Sequence, residues 1–456
     1  MKRVAFAALA ASWLLLIGCG GGGGGNNNVI QSKEWIGVQK VDNLAPNKRI
    51  SNYSTFKGLS VNKNGDAAVI WQQAETTNVD VFVRFYNFNS NSWSSPMKIN
   101  TYNLNVYKSK IYINDDGDAF AVWVQQDNNG HLSLYLRAYD KSTNSWLPLK
   151  LIETKSTDVE NFDIAGSGKR LALSWIQKDG AYKKCFAVGY DIRVNNIGTI
   201  TAQSIANHDA VYSKVGLDAN GNILLVWKQK ISGTLYNLYA KTYDNSTTTW
   251  SGTTLLENLS NPPIALAVDM NNNGDGAIAW IQNDGTHINT YFSFYNHTAN
   301  SFSSARVVDT LDGLVSQAAV AINEKSNVAI AWIQKDNSGH YNSYFRKYIK
   351  STNSFSNVEL VENINDNQNF AINTDIDKNG NAVVAWMQKD DNNHFSIFAN
   401  YYDAQSSSWS GGEALENVNN MAFSPSVKMD ENGNVVAVWQ QQNSLSKEHL
   451  YSNIYR

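Results

Sequence analysis

Strands with one pattern of hydrophobic and polar residues recur along the whole chain. In "DKNGNAVVAWMQKDD", residues 377–391, a polar turn containing Asn-Gly precedes an apolar run that holds a Trp and, two residues later, a Gln. Asn-Gly pairs permit the positive φ that tight hairpin turns need, and a short apolar run bounded by turn residues is typical of a buried strand. The pattern therefore predicts a hairpin whose second strand is buried.

This strand occurs eight times, and the Gln follows the Trp every time. The Trp positions, 52 to 54 residues apart, are Trp71, Trp123, Trp175, Trp227, Trp280, Trp332, Trp386 and Trp439. The period is close to that of four-stranded propeller blades. We predict an all-β fold, an eight-bladed β-propeller of four-stranded blades formed by residues 34–456. Fixed recurrence in a blade indicates packing, so these eight Trp are predicted to be structural.

Each repeat divides into four strands, called a to d. In the last repeat strand a is "SPSVKM", the turn is "DENGN" and strand b is "VVAVWQQ". Strand d opens with an aromatic residue in six repeats, at Trp93, Trp146, Trp250, Phe302, Phe355 and Trp409, and these six are the better candidates for exposed aromatic platforms. The third repeat has "RVNNIGTITAQSI" instead and has "GSGKR" at its a–b turn. Blade 3 is therefore the most divergent.

The two ends of the repeat region complement each other. The last repeat stops at "LYSNIYR", its strand c, and lacks a strand d. The segment "EWIGVQKVDN", residues 34–43, has the aromatic-to-Asn step seen in other d strands. It is predicted to complete the eighth blade and so to remove the free sheet edges that invite aggregation.

The N-terminus has the features of a targeting segment. A basic "MKR" precedes the apolar run "VAFAALAASWLLLI", which ends at Leu16-Ile17-Gly18-Cys19. This resembles the bacterial lipobox, which implies a signal peptide at 1–18, lipid modification (palmitate included) at Cys19, and a Gly- and Asn-rich tether through 33. Gly20 after the Cys implies, in such lipoproteins, the outer membrane of the cell envelope. An ordinary secretory signal is the alternative.

Composition narrows the possible functions. The formal net charge of −3 gives no reason to expect a nucleic acid or an anionic membrane surface as partner. The chain has no His-Glu-x-x-His, Gly-x-Ser-x-Gly or Cys-x-x-Cys motif, so we predict no catalytic residue, no metal ligand and no cofactor. The turn "D-x-N-G-N" is explained by turn chemistry, because it has too few oxygen ligands for Ca²⁺. Cys185 is predicted to be an inert core thiol.

The b–c loops hold the best candidates for binding. Four of them have an Asp shortly before a His, which gives the candidate rim Asp127, His131, Asp284, His287, Asp336, His340, Asp390 and His394. Propeller connectivity places the d–a loops on the same face, and they add Asp42, Glu153, Glu257, Asp309, Glu362 and Glu416. A solvated loop face without a ligand is the alternative.

The repeat is distantly similar to the Asp-box repeats of sialidase-like propellers, with Asp, Gly and Trp in order. The Gly-to-Trp spacing is longer here, as from Gly433 to Trp439, and the Asp-box Ser is absent. A sialidase-like site would need converging arginines. Arg84, Arg137 and Arg346 share one position of strand c and are not expected to meet at the axis.

These features together favour a non-enzymatic, lipid-anchored envelope protein whose monomeric propeller is a protein-interaction platform. In architecture it resembles the eight-bladed lipoprotein propeller of the outer-membrane assembly machinery, although the Trp-x-Gln repeats differ. The first alternative is a glycan-binding, lectin-like propeller, which would expose aromatic residues in repeated pockets of the rim. A sialidase-like glycoside hydrolase is the second, and it would require one blade that departs from the pattern at the axis.

Overall fold

The structure is a computed structural model that describes residues 33–50, 58–74, 78–257, 259–363, 368–390, 393–416 and 420–456. The predicted signal peptide, Cys19 and nearly all of the tether lie outside these residues. The described residues form eight antiparallel sheets, each with its strands in the order a-b-c-d. This confirms the predicted eight-bladed propeller, which belongs to the compact unit Glu34–Arg456.

Blades are numbered in chain order from residue 58. The a strands are Leu59–Val61, Val106–Ile113, Val159–Ser167, Ala210–Leu217, Ala265–Met270, Val315–Ile322, Asn369–Ile376 and Ala422–Met429. The b strands are Ala67–Ala74, Ala119–Gln126, Arg170–Asp179, Ile223–Ser232, Gly276–Asn283, Val328–Lys335, Ala382–Lys389 and Val435–Gln442. The c strands are Val79–Asn87, Leu132–Asp140, Tyr182–Asp191, Leu235–Asp244, Ile288–Asn296, Tyr341–Ile349, Phe395–Asp403 and Glu448–Tyr455.

Strand d is broken in blades 1 to 7, where a single strand was predicted. The first pieces are Ser92–Trp93, Ser145–Trp146, Asn196–Ile197, Thr249–Trp250, Ser301–Phe302, Ser354–Phe355 and Ser408–Trp409. The second pieces are Met97–Lys98, Lys150–Leu151, Thr201–Ala202, Thr254–Leu255, Arg306–Val307, Glu359–Leu360 and Glu413–Ala414. One 3-10 turn, Lys350–Thr352, lies between strands c and d of blade 6. No helix of the described residues has the length and apolar character to span a bilayer.

In several blades a serine side chain lies where the two pieces of strand d meet, whereas blades 2 and 3 have Leu147 and Gly198 at that position. In blade 1 the Ser94 hydroxyl accepts the N–H of Phe85 at 3.0 Å, and in blade 5 Ser303 does the same for Phe294 at 2.9 Å. The hydroxyl takes the place of a ladder carbonyl, so the backbone turns out of register for one step and then pairs again.

The repeated Trp fills the space between neighbouring sheets. All eight indoles are at most 2 % exposed. Each stacks on the aromatic residue directly opposite it on strand c, with ring centroids 5.4 to 6.5 Å apart, as Trp332 does on Tyr344. Cross-strand aromatic pairs of this kind stabilise a sheet beyond the area they bury. The structural role predicted for these Trp agrees with this burial.

The Gln two residues later completes the arrangement. Because side chains alternate along a strand, Trp and Gln lie on one face. In every blade the indole Nε1 donates to the Gln Oε1, at 2.7 to 3.1 Å. The Gln amide then donates to carbonyls of the d–a loop, as from Gln125 to Leu104 O at 2.6 Å and from Gln334 to Leu311 O at 2.7 Å. Each Trp-Gln pair therefore holds the preceding d–a loop against strand b of its blade.

The N-terminal strand closes the ring as predicted. Gln39–Lys40 pairs antiparallel with the last strand, and a further bridge joins Trp35 to Tyr455. The a strands of neighbouring blades touch all the way around, including Leu59–Val61 against Ala422–Met429. Eight a strands therefore line one central channel.

The a–b turns owe their form to local side-chain hydrogen bonds. Asp377 Oδ1 accepts the N–H groups of Asn379 at 2.8 Å and Asn381 at 2.9 Å, and Gly380 has a φ of 91°. Turn geometry thus occupies the oxygen that a calcium loop would need. In blade 3 the "GSGKR" segment is a hairpin in which Ser167 pairs with Arg170, as expected for an a–b turn. Cys185 is fully buried, and burial raises its pKa to about 12, so the thiol is unreactive.

Candidate functional site

The rim aspartates of the b–c loops close the turns in which they lie. Asp127 Oδ1 accepts the N–H groups of Asn129 at 2.8 Å and His131 at 2.9 Å. Asp336 and Asp390 accept the N–H of the histidine four residues later, each at 2.9 Å. Hydrogen bonds from His287 N–H and from the Thr286 hydroxyl and N–H lower the pKa of Asp284 to about 2. These carboxylates therefore shape the loops and hold one oxygen away from solvent.

The four rim histidines lie in separate blades. The His131 Nδ1 is 3.9 Å from Asp158, and the His287 Nε2 is 3.9 Å from Asp312. Both aspartates belong to d–a loops, so the b–c and d–a loops do share one face. His340 Nδ1 is 3.7 Å from Asp336 within its own turn, and His394 lies in the next blade. Within the described ranges no three His, Cys, Asp or Glu side chains are placed to hold one metal ion.

The acids of the d–a loops are not surface groups, and the prediction that they add to the rim is wrong. Asp42, Glu153, Glu257, Asp309 and Glu362 are at most 7 % exposed. Several accept N–H groups of strand c: Leu450 to Asp42 at 2.6 Å, Thr290 to Asp309 at 2.6 Å, and Ile397 to Glu416 at 3.1 Å. Burial raises the pKa of Asp309 to about 6 and that of Glu416 to about 7. These acids lie just after the second piece of strand d and continue its hydrogen bonding to strand c.

The strand-d aromatics are packed between blades and are only half-buried. Trp93 lies 5.2 Å from Tyr86 between ring centroids, and its indole donates to Ser452 of blade 8 at 3.2 Å. Trp409 is edge-on to Phe345 of blade 6 and donates to Glu359 at 2.6 Å. The indole N–H groups and ring faces of Trp93 and Trp409 are thus engaged by the protein itself.

The strand-c arginines join neighbouring blades, and they do not meet at the axis. Arg137 donates to Leu147 O in its own blade at 2.9 Å and to Ile99 O of the preceding blade at 3.0 Å. Arg346 makes the same pair of contacts, to Ser356 O and Val308 O, both at 2.6 Å. The converging arginines of a sialidase-like site are therefore not formed by these residues.

The loop face exposes apolar side chains that the sequence argument did not single out. They are Tyr102, Ile264, Leu314 and Met421, which precede a strands, and Leu445 in the b–c loop of blade 8, all 37 to 59 % exposed. We call these five residues the apolar rim. The a–b and c–d turns at the other end are rich in Asn, Asp, Ser and Gly, with Val194 of blade 3 as an exposed apolar side chain among them. More of the exposed large apolar side chains therefore lie on the loop face than at the other end.

A second site, missed from the sequence, is the central channel. It encloses a cavity of about 970 Å³ lined by the a strands of all eight blades. Lys110, Asp163 and Lys214, of blades 2 to 4, each pair with the residue just before the Trp of their blade. Asp269, Asp375 and Lys428, of blades 5, 7 and 8, pair with the residue three before it. Two charged levels therefore occupy opposite parts of the channel wall.

The channel carboxylates also join the blades. The carboxylate of Asp163 accepts the N–H of Val215 in the next a strand at 3.2 Å. Asp269 accepts that of Ile322 at 3.0 Å, and Asp375 that of Met429 at 2.8 Å. The inner edge of each sheet has no backbone partner, so these oxygens satisfy N–H groups that would otherwise face the cavity. The charged residue within most of the a strands was a weak sequence signal of this wall.

Comparisons with known proteins support the fold alone. No protein-family model matches the chain, and no curated protein matches it. Among solved structures it is similar to a polysaccharide lyase, an ulvan lyase, at 11 % identity over 89 % of this chain and 93 % of that one, with a TM-score of 0.50. The β-propeller domain of the trilobed protease from Pyrococcus furiosus is 11 % identical to this chain. The match covers 82 % of this chain and 99 % of that one, with a TM-score of 0.47. The NanB sialidase from Streptococcus pneumoniae is 9 % identical to this chain. The match covers 89 % of this chain and 69 % of that one, with a TM-score of 0.34.

The similarity to the ulvan lyase supports the fold, and an identity of 11 % supports nothing about function.

Proposed function

We propose that the chain is a non-enzymatic, lipid-anchored protein of the bacterial envelope, and that its propeller is a platform for a protein partner. The partner docks on the face formed by the b–c and d–a loops. The observation that carries this proposal is the apolar rim, because exposed large apolar side chains gathered on one face are typical of interaction surfaces.

The rim is built to be rigid, which suits a docking surface. The Asp side chains fix the b–c turns, and the Gln amides fix the d–a loops from below. Partners that meet a preformed surface lose less conformational entropy than partners that must order it. Histidines and amides around the apolar side chains supply the polar border that such surfaces have.

The glycan-binding alternative needs exposed aromatic residues in repeated pockets. Of the described large apolar side chains that are exposed, Tyr102 is the aromatic one, at 42 %. The strand-d aromatics are engaged between blades, as described above. Contacts of this kind favour a protein partner over a sugar.

The test is cross-linking of the full chain in its own envelope, with a matched control. The rim variant carries Ile264→Ser, Leu314→Ser, Met421→Ser and Leu445→Ser. The control carries Leu151→Ser, Leu255→Ser, Val307→Ser and Leu360→Ser, which are equally exposed but lie on the outer strands. A cross-linked protein that is lost in the first variant and kept in the second supports the platform. Equal capture by both variants would move the docking face elsewhere.

Lipid anchoring has its own test. Cys19→Ser is expected to abolish incorporation of a palmitate analogue and to release the protein from the membrane fraction. Cys185→Ser is the control, because that thiol is buried. Retention of the label in Cys19→Ser would contradict the anchor.

A further inference from the structure

One wall of the central channel carries an excess of positive charge. Lys110 and Lys214 both form an ion pair with the single carboxylate of Asp163, the second at 3.4 Å. Burial disfavours ionisation of Asp163, but the charges of both lysines outweigh it and lower the pKa of the carboxyl. Burial likewise opposes the charge on Lys214, yet the Asp163 carboxylate raises its pKa overall. Two ammonium groups therefore share one carboxylate.

The other wall carries the opposite excess. Asp269 and Asp375 lie near one cation, Lys428, whose Nζ is 3.6 Å from Asp375. Burial raises the pKa of Asp269 to about 6, so the group is mostly ionised at neutral pH. Two carboxylates share one ammonium group here, the mirror image of the first wall.

The charges of these three residues do not cancel on either wall. An unbalanced charge that has lost part of its hydration attracts a counter-charge more strongly than it would in water. The rest of the lining mixes apolar residues with polar ones, among them Ser60, Gln317 and Asn373. The cavity is therefore polarised from one side to the other.

The cavity is accessible from the loop face. Ile264 lines it and is also 59 % exposed, so the lining reaches solvent beside blade 5. At the other end Ser167 of blade 3 donates to Asn272 of blade 5 at 2.6 Å, and Ala219 of blade 4 donates to Asn272 O at 3.3 Å. These contacts tie three a–b turns together. A ligand would enter from the side of the b–c and d–a loops.

We propose that the central channel binds a short peptide with free termini, whose carboxylate lies against Lys110 and Lys214 and whose ammonium lies against Asp269 and Asp375. The volume of about 970 Å³ is within the range of small-molecule sites. The two charged levels are two residues apart along the a strands, which is about 7 Å, and they lie on different blades. A single amino acid is too short to reach both, whereas each added residue extends a peptide by about 3.5 Å.

Isothermal titration calorimetry of the full chain in detergent tests this proposal with tri-alanine as the probe. Saturable one-to-one binding is expected, and N-acetylation or C-amidation of the peptide should each weaken it about tenfold, since each removes one charge-assisted contact. Alanine alone should bind more weakly than either capped peptide.

Two variants assign the ends of the peptide. Asp269→Asn keeps an oxygen for the Ile322 N–H, so the fold is retained, and should remove the preference for a free N-terminus. Lys214→Met should remove the preference for a free carboxylate. Lys98→Met is the control, because that lysine pairs with Asp80 in the outer part of blade 1. Circular dichroism and thermal unfolding confirm that each variant is folded.

Three results would overturn the proposal. They are no heat of binding at millimolar tri-alanine, equal affinity for capped and free peptides, and unchanged affinity in both channel variants. In the first case the two walls only balance each other across the cavity. A rim variant that keeps Ile264 and carries only Leu314→Ser, Met421→Ser and Leu445→Ser, none of which lines the cavity, is expected to bind tri-alanine normally. Failure of the docking face and failure of the channel can therefore be told apart.

Discussion

The eight Trp-Gln pairs of the b strands, which we call the seam, and the channel wall formed by the a strands lie in the same blades. The seam is the same in every blade, whereas the channel wall differs from blade to blade. Trp332 and Gln334 have counterparts in all eight b strands, with the same burial and the same hydrogen bond. In strand a, only a few residues away, the position occupied by Lys110 is Asp163, Lys214, Ala267, Ala319, Asn373 and Ser426 in the blades that follow. Positions that are identical in every blade serve packing. Positions that differ from blade to blade are free to be shaped by a ligand or by a neighbour.

The largest effect is expected from breaking the seam itself. Trp332→Ala removes a fully buried indole from between two sheets, and should lower the free energy of unfolding by about 3–5 kcal/mol. Guanidinium unfolding followed by circular dichroism measures it. Trp93→Ala, at a half-buried position, should cost clearly less, and an equal loss would show that the two aromatic positions are equivalent.

The buried acids beside the seam should make stability depend on pH. Burial raises the pKa of Glu416 from 4.5 to about 7 in the folded protein, so the folded state holds this proton more tightly than the unfolded chain. Stability from this group is complete below about pH 4.5 and is lost as the pH rises through 7, by about 3 kcal/mol at most. Glu416→Gln should remove that part of the slope in unfolding experiments between pH 5 and 8. Asp284→Asn should leave it unchanged, because the pKa of Asp284 is lowered and lies below this window.

The glutamine of the seam should matter less than the indole, but more than its neighbour. Gln125→Leu leaves the Trp123 N–H and the carbonyls of Tyr102 and Leu104 without their partner, at a cost of about 1–3 kcal/mol. Amide hydrogen exchange should increase in residues 102–106. Gln126→Leu is the matched control, since that half-exposed side chain makes one long contact, and about 0.5 kcal/mol or less is expected. Similar losses of unfolding free energy for both variants would contradict the role given to the hydrogen bonds of Gln125.

The smallest effect is expected in the channel. Ala319→Ser lies at the level of Lys110 and Asp163, in a place that other blades fill with polar side chains. Its free energy of unfolding should stay within about 0.5 kcal/mol of the parent, by the same guanidinium measurement. A large loss would mean that the wall is packed as strictly as the seam.

The fold was predictable because most strands repeat with nearly the same residues. Strand a repeats less closely, so the channel that it lines was not predicted. The Trp-x-Gln strand occurs eight times at a fixed spacing, and the Asn-Gly turns and the strand-d aromatics recur in most repeats, so the repeats support one assignment of strands. The closure by residues 34–43 followed from counting strands. Strand a varies so much that Lys110 and Asp269 read as ordinary polar positions, and only their three-dimensional arrangement shows that they share a cavity.

The rim was predicted in part. The b–c loop residues lie where connectivity places them, but the d–a acids were assigned to the surface because charged residues in loops are usually solvated. Glu257 and Asp309 are buried instead, since strand d ends before the last N–H groups of strand c, and these N–H groups need an acceptor. The break has no strong sequence signal, because the residue at that position is a serine in some blades but Leu147 or Gly198 in others.

The pairing of Gln39–Lys40 with Glu448–Tyr455 orders the folding of the chain in time. Ribosomes make residue 39 first and its partner, Ser452, some four hundred residues later, so the first strand must wait unpaired while seven blades form. The ring can close only after residues 451 and 452 have been made, and until then blade 8 has an open edge. During synthesis the unpaired edge of blade 8 therefore stays accessible to the ribosome, a translocation channel or a chaperone.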